Sequence, residues 1–571
     1  MNILENLNIE LLKIFRQLNL DEKYAFFQYS DRPDLSDFQT NCAMPLCKIL
    51  KKNPKDIANL LVEELKKIDL FDKVTVDGPG FVNIILKNEL LFNVLNNTIN
   101  DEKCGFTNRE KQKTIIIDSG GYNIAKELHV GHLRSTIIGE SIRRIYKFVG
   151  DRVISDVHLG DWGTNMGMVI EGIRIKYPNA ECFQENFNKE KIDDIKLNSQ
   201  ILMEVYRLAN TKAKEDESFM DKVRQSTKKL QDGYKPYRIL WKYFTTISID
   251  DAKNLCEILG AHFELWNGES SVHELMLKMI KDFDEKHITK ISEGAKIVDL
   301  SNKNLPPALI EKSDGAVMYA SSDLATILDR REKYNPDKML YVVDYRQSLH
   351  FKQVFEVAKT AGFLDINHTA EHCPFGTMNG KDGKPFKTRS GDTVKLRDLI
   401  DETIEKITEK SEIKDQNTIK KIAVACIKFA DLVNYRESSY IFDMDSFTSY
   451  EGKTGAYLLY NIVRINSILS NYQNINYKIT EIRTKEEKDL LIELTKFSQE
   501  ILASYDKKAP NFIADYVYNL AKKFSSFYNV CQINNEINED YKKSKISLLF
   551  LTKKYMETLL NLLGIETAEK M

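Results

Sequence analysis

No two cysteines of this chain stand in a CxxC pair; the eight are scattered at positions 42, 47, 104, 182, 256, 373, 426 and 531. That spacing disfavours a zinc ribbon or a thioredoxin-like motif and suits small half-buried side chains in a reducing compartment. No apolar run approaches the ~20 residues that a bilayer-spanning helix needs. The opening Met1-Asn2-Ile3-Leu4-Glu5 lacks the basic segment and apolar core of a secretory signal, so a cytoplasmic location with no membrane partner is expected. An excess of one charge is missing too. The formal net charge of -2 leaves no global basic footprint. Any nucleic-acid contact would have to rest on local patches of Lys and Arg. Internal repeats and long low-complexity tracts are also absent.

What is present fits an ordinary globular protein, with 42% hydrophobic and 29% charged residues. A length of 571 residues exceeds what one core supports and implies about three or four domains. Residues 1–105 read as a separate α/β module. Helical patterns run from Ile9 to Leu18 and from Asp56 to Ile68, the second with Asn53 as cap and Pro54 at its first position. Two strands are predicted after them, Val74 to Val76 and Gly80 to Leu86, and residues 96–113 read as a linker.

The character then changes. Thr114-Ile115-Ile116-Ile117-Asp118 is a short β-branched run typical of a buried parallel strand. After the turn signal Ser119-Gly120-Gly121 comes a helical stripe of Leu133, Ile137, Ile138, Ile142, Ile145 and Val149, with Gly150 as its stop. Val153 to Val157 gives a second strand, so the unit is βαβ and implies a right-handed crossover in a Rossmann-like sheet. Residues 173–304 are strongly charged and mostly helical, an insertion before the sheet returns at Met339 to Asp344. The fold class read from this is α/β. A Rossmann-type parallel-sheet catalytic domain (113–449) carries the helical insertion, between the N-terminal α/β module and a C-terminal α-helical bundle (450–571).

The strand-to-helix turn contains Lys126-Glu127-Leu128-His129-Val130-Gly131-His132. Free N–H groups and the macrodipole at a helix start favour an anion, and Gly131 admits close approach to the backbone. His129, His132 and Lys126 can donate to phosphate oxygens there. Two surface histidines at a helix start are the plain alternative. A metal site lacks a third ligand at a recognisable spacing, and none is expected.

His129-Val130-Gly131-His132 resembles the HIGH signature of class I aminoacyl-tRNA synthetases. The longer string Asn123-Ile124-Ala125-Lys126-Glu127-Leu128, continuing to Leu133-Arg134-Ser135-Thr136, resembles the arginyl branch, as does Val157-His158-Leu159-Gly160-Asp161-Trp162-Gly163-Thr164-Asn165. The family often has Ser and Pro where this chain has Gly121 and Tyr122, so no side-chain contact is carried over to Gly121. Gly376 to Gly391, which alone could be a solvated hairpin, resembles the KMSKS loop in a diverged form. Thr388 stands near the place of the usual central lysine, and Lys126 holds the position of the family's compensating lysine. The resemblance implies catalytic roles for Lys126, His129, His132, Lys387 and Arg389, and ATP contacts from Lys126, His129, Gly131, His132 and Lys384.

Tyr319 and Asp323 stand four apart on one face of a predicted helix start, in the string Tyr319-Ala320-Ser321-Ser322-Asp323. A guanidinium wants a planar carboxylate partner; a capping role for Ser321 or Ser322, with Asp323 in the first turn, is the competing reading. The string resembles the family's substrate-side-chain site. The implied arginine-binding set is Asp118, Asn123, His132, Tyr319, Asp323 and Gln347, with Asp118 otherwise a hydrogen-bonded strand-end residue.

Residues 451–571 hold 10 of the 26 tyrosines, mixed with Lys, a composition suited to stacking on single-stranded bases as well as to a bundle core. Thr454 to Tyr460 resembles the start of the family's anticodon-binding domain, which makes Tyr457, Tyr460, Tyr528 and Met571 the implied tRNA contacts. Asp34 to Asn41, by itself a turn and a helix cap, resembles the family's N-terminal domain that touches the tRNA elbow. The expected activity is arginyl-tRNA synthesis. Its expected partners are L-arginine, ATP with substrate-bound Mg2+, and the tRNA for arginine, handled by a monomer. A pantothenate-type ligase sharing the HxGH turn, or a paralogue that binds tRNA without charging it, are the competing functions. The first would be a shorter chain without a Tyr-rich C-terminal domain; the second should not keep His129, His132, Lys126 and Asp323.

Overall fold

The computed structural model describes residues 3–184, 187, 189–313, 317–384, 386, 394–472 and 475–571. Its organising element is a four-stranded parallel sheet in the order Thr369–His372, Lys338–Val342, Thr114–Ser119, Arg152–Asp156. This is the Rossmann-type architecture read from the sequence. The connection from Thr114–Ser119 runs through helix Val130–Val149 to Arg152–Asp156, and that from Lys338–Val342 runs through helix Ser348–Thr360 to Thr369–His372. The two connections leave in opposite directions. The crevice at the carboxyl ends of the two central strands is therefore the switch point at which such sheets bind ligands.

Alternation along Thr114–Ser119 divides the core. Ile115 and Ile117 pack with Leu133, Ile137 and Ile138 of helix Val130–Val149. Ile116 faces the other layer, with Leu324 and Ile327 of helix Tyr319–Tyr334. Helix Val130–Val149 ends at Gly150 (φ 113°), which donates to Lys147 and Tyr146 carbonyls, as the sequence predicted. That helix is buried nearly all round, because the sheet covers one side and the C-terminal bundle the other. Ser141 Oγ donates to Leu562 O (2.9 Å), and Tyr146 stacks on Tyr505 at 4.1 Å.

The insertion is a bundle of helices Ser199–Glu215, Glu217–Gln231 and Lys235–Ile258 with helix His273–Glu285. It closes with a small antiparallel sheet over Lys290–Ser292, Ala295–Val298 and Ala308–Glu311 that periodicity did not reveal. The N-terminal module has four antiparallel strands where two were predicted. Gln28–Tyr29 and Phe38–Thr40 are too short to carry an alternation signal, and Phe38–Thr40 lies where a turn and helix cap were read. Asn53 caps helix Pro54–Leu65 by accepting from Lys55 N, as expected. Among the described residues no helix is long and apolar enough to cross a membrane.

Deep in the second layer Arg330 Nη2 meets Asp118 Oδ2 at 2.6 Å and Asp156 Oδ2 at 2.8 Å, while Nη1 donates to Tyr341 Oη (3.1 Å). Arg330 is 2% exposed. One guanidinium thus ties helix Tyr319–Tyr334 to three strands of the sheet. Arg330→Met should strand two buried carboxylates and lower stability by about 3–5 kcal/mol. Denaturant titration showing a loss under 1 kcal/mol would contradict this assignment.

Candidate functional site

The HxGH turn grows directly out of the central strand. Ser135 Oγ accepts from Gly120 N (2.7 Å) and donates to Val342 O (2.6 Å), joining the two central strand ends under the turn. Gly121 has φ 59° and an open side, so the left-handed backbone favours glycine at this position.

His129 is the N-cap of helix Val130–Val149, and the two histidines form a reciprocal capping box. His129 Nδ1 accepts from Gly131 N (3.1 Å), and His132 Nδ1 accepts from His129 N (3.1 Å). The rings lie 3.9 Å apart. Gly131 is required by this geometry, since a Cβ there would stand 2.9 Å from His129 Cε1.

Two expectations are corrected here. The helix-start N–H groups are not open to an anion: Val130 N donates to Val394 O (3.1 Å), His132 N to His129 O (2.8 Å), and Gly131 N is taken by His129. Gly131 therefore acts by making room for a ring rather than by offering its own N–H to ATP. With both Nδ1 atoms accepting, the neutral rings carry their protons on Nε2, so the turn offers two side-chain donors instead.

Both rings are held neutral. Burial lowers the His129 pKa, helped by the charges of Arg346 and Lys126. Burial, His129 and Lys126 bring His132 down to about 3. Lys126 is exposed, its Nζ 5.2 Å from the Tyr206 ring centre. Arg346, which sequence reading passed over although it adjoins Gln347, reaches the same turn from the opposite strand and forks onto Asp344 at 2.8 and 2.7 Å.

The basic loop starts as a hairpin. Met378–Asn379 pairs with Tyr440–Ile441, Phe386 N donates to Met378 O (3.0 Å), and Lys384 stands exposed near its tip. Beyond it, Leu396 N donates to Leu128 O (2.9 Å) and Lys395 pairs with Glu127 (2.8 Å), so the returning chain is fastened to the HxGH turn. Lys387, Thr388 and Arg389 lie outside the described residues.

On the other side of the switch point, Tyr319 opens helix Tyr319–Tyr334 and is 64% exposed. Asp323 Oδ2 lies 2.5 Å from His350 Nε2. Neither serine caps this helix: Ser321 Oγ donates to Ile310 O and Ser322 Oγ to Tyr319 O. Asn123 bridges to Gly160, and Gln347 is exposed at the end of the turn Tyr345–Gln347. Asp118, proposed from sequence to face the same pocket, is corrected: its carboxylate is 5% exposed and closed by Arg330. In its place the structure supplies Glu269, which lines a cavity of about 210 Å3 with Tyr319 and Ser322. Burial pushes the Glu269 carboxyl up to about 7; His158 opposes this, and the charges of Asp323 and Asp161 add to it. No spacing rule singles Glu269 out. Its signal is desolvation, which appears only on folding.

A further cavity of about 670 Å3 lies at the C-terminal bundle, lined by Tyr460, Arg464, Met571, Tyr450 and Lys410. Arg464 lies over both the Tyr460 and Tyr528 rings at 4.9 and 4.7 Å. Tyr457 differs, its hydroxyl bonded to Ser525 Oγ (3.0 Å) inside the bundle.

A parallel sheet with an HxGH-capped helix at its switch point is the core of class I aminoacyl-tRNA synthetases. Residues 93–444 match the family described as tRNA synthetases class I (R), catalytic domain. Residues 458–571 match the DALR anticodon binding domain, and residues 1–86 the arginyl tRNA synthetase N terminal domain. The chain is 41% identical to the arginine–tRNA ligase of Francisella tularensis subsp. holarctica over 100% of both chains. It is 42% identical to that of Alkaliphilus oremlandii over 98% of each. The crystal structure of arginyl-tRNA synthetase from Plasmodium falciparum superposes with TM-score 0.81 at 25% identity, covering 100% of this chain and 99% of that one. The chain belongs to the arginyl-tRNA synthetase family.

The neutral His132 has a measurable consequence. The unfolded ring titrates near 6.5 and the folded one near 3, so between these values the unfolded state binds more protons. Stability must then fall as pH drops through that window. From pH 7.5 to 5.5 the wild type should lose about 1.4 kcal/mol more than His132→Asn, which has no such proton to take up. Identical pH dependences in urea titrations of the two proteins would refute the burial of a neutral ring.

Proposed function

We propose that this chain joins L-arginine to the tRNA for arginine at the expense of ATP, using the switch-point crevice for activation and the C-terminal cavity for the anticodon. The observation that carries the reading is one crevice holding two unlike halves. One is a neutral donor pair flanked by Lys126 and Arg346; the other is a carboxylate pair, Asp323 and Glu269, the latter lining a cavity with Tyr319. The first half suits phosphate oxygens and the second a guanidinium.

In this reading the arginine carboxylate attacks the α-phosphorus of ATP, which travels with Mg2+; an arginyl-adenylate forms and pyrophosphate leaves. His129 and His132 donate through Nε2–H to oxygens whose charge grows in the transition state, and Lys126 adds its charge. Lys384, Lys387 and Arg389 would close from the basic loop. Asn123 and Gln347 hold the amino-acid end. A terminal ribose hydroxyl of the tRNA then attacks the acyl carbon and AMP departs. No side chain forms a bond to substrate, so positioning and electrostatics do the chemistry. Tyr460, Met571 and Tyr528, the last through Arg464, receive anticodon bases, with Tyr457 supporting them from within the bundle. The module 1–105 meets the tRNA elbow. Pyrophosphate exchange with each standard amino acid, with and without tRNA, tests the whole reading; exchange with an amino acid other than arginine would end it.

Two finer predictions separate the guanidinium site from its alternatives. Asp323→Asn keeps size and removes charge, and losing a buried counter-ion typically costs ~3–5 kcal/mol, roughly a 100- to 4000-fold fall in kcat/KM. Citrulline, the uncharged isostere, should lose much less; equal losses for both substrates would refute the pairing. Glu269 must shed its proton to meet a cation. Arginine binding should therefore tighten by about ten-fold per pH unit up to about 7 and level off above it, while Glu269→Gln removes the slope. A dissociation constant flat between pH 5.5 and 7.5 in the wild type would exclude this role.

A further inference from the structure

Two helices begin at the crevice. Helix Tyr319–Tyr334 carries Asp323 one turn in from its start, and helix Ser348–Thr360 carries His350 as its third residue. Deeper down, Leu324 and Ile327 of the first share a buried cluster with Phe351 and Val354 of the second. Apolar packing of this kind places the helices, but it is not directional and does not choose a rotamer for a polar side chain at the rim. One polar contact makes that choice: His350 Nε2 lies 2.5 Å from Asp323 Oδ2.

Among the described residues no other hydrogen bond reaches this carboxylate. The neighbouring hydroxyls are already committed, Ser321 Oγ to Ile310 O and Ser322 Oγ to Tyr319 O. A carboxylate only accepts, so the imidazole must donate through Nε2–H. That leaves Asp323 Oδ1 without a partner among the described residues. The side chain still keeps 18% of its surface, enough for a ligand to reach it.

His350 is itself held. Its ring meets Phe351 edge-on at 5.3 Å, Phe351 stacks on His372 at 5.0 Å, and His372 Nε2 donates to Val343 O (3.0 Å) at the end of strand Lys338–Val342. The aspartate is thereby referred to the sheet through a row of rings. Gln347 stands three residues before His350, at the N-cap of the same helix, where its side chain makes no capping bond. The contact therefore joins the helix that carries the side-chain carboxylate to the one that starts at Gln347.

We infer that His350 is a positioning residue for the guanidinium site, its Nε2–H holding one oxygen of Asp323 so that the other stands ready to accept a substrate N–H. The inference rests on the reading of Asp323 as the carboxylate that meets arginine. A loose aspartate in the first turns of a helix would have to be ordered each time the substrate binds; here the ordering is done on folding.

The test uses the full-length enzyme with tRNA present and measures arginine-dependent pyrophosphate exchange. His350→Leu should raise KM for arginine about ten-fold and leave KM for ATP within about two-fold. His350→Gln, whose amide can donate in place of Nε2–H, should return KM for arginine to within about three-fold of wild type. In an Asp323→Asn background His350→Leu should add less than about two-fold, because a residue that acts through Asp323 has nothing left to act on. Wild-type KM for arginine in His350→Leu would overturn the inference. So would the full loss reappearing in the Asp323→Asn background, or no recovery with Gln, since either would make His350 a packing residue whatever its melting temperature. Asp323→Asn alone separates the two levels. If it discriminates arginine from citrulline while the His350 variants are silent, only the positioning role fails; if it does not, the reading of Asp323 fails and the inference with it.

Discussion

The contact on which the rest of the site depends is the buried guanidinium of Arg330 between Asp118 and Asp156. Helix Tyr319–Tyr334 carries Asp323 on one side of the crevice, and the central strand leads into the HxGH turn on the other. A helix laid on a sheet by apolar contacts alone can slide, because dispersion and burial are not directional. An arginine fixed to the ends of two adjacent strands removes that freedom. Removing three charges from water is costly, and apolar replacements of similar volume often serve stability as well. What the ionic version adds here is register: Asp323, seven residues before Arg330 and two helical turns nearer the crevice, is placed relative to strand Thr114–Ser119 and so to the HxGH turn.

At the HxGH turn the same low dielectric works differently. Among the described residues the histidine pair has no counter-ion of its own, and Lys126 and Arg346 raise the penalty for charging it. Two neutral donors result, locked by their own capping bonds. Such donors are already oriented when charge develops on a phosphate and need not reorganise. The carboxylate side is the mirror case: burial, with the charges of Asp323 and Asp161, raises the Glu269 carboxyl to about 7.

Much of this was legible in the sequence where the signal is local. The strand Thr114–Ser119, the stripe of helix Val130–Val149 with its Gly150 stop, and the cap Asn53-Pro54 all follow from residues within one or two turns of each other. The HxGH histidines were placed correctly at the helix start, but the use of their Nδ1 atoms as caps depends on ring orientation, which spacing does not encode. Asp118 misled for a related reason. A strand-end carboxylate next to a pocket looks available until its partner Arg330, 212 residues away in sequence, is in place. Glu269 was invisible because it sits in an unexceptional string, and only the pairing of residues 157–161 with 265–270 places it beside the crevice. The strands Gln28–Tyr29 and Phe38–Thr40 offered two and three residues, too few for an alternation to register.

The crevice and the C-terminal cavity also share a physical part. Helix Leu396–Lys410 begins where Leu396 N binds Leu128 O beside the histidine pair and ends at Lys410, which lines the cavity holding Tyr460, Arg464 and Met571. Fifteen residues at 1.5 Å each make a rod of about 22 Å. Both ends are tied: Lys395 to Glu127 before the first turn, and Lys410 to Asp445 O and Thr448 Oγ1 at the last. Loops between the two regions would leave their separation to fluctuate. A continuous helix, held by Leu399, Ile400 and Ile407 in the common core, fixes it instead. A molecule that engages both cavities at once therefore meets a spacing set by backbone hydrogen bonds rather than by linkers, which is the condition under which two modest contacts act as one.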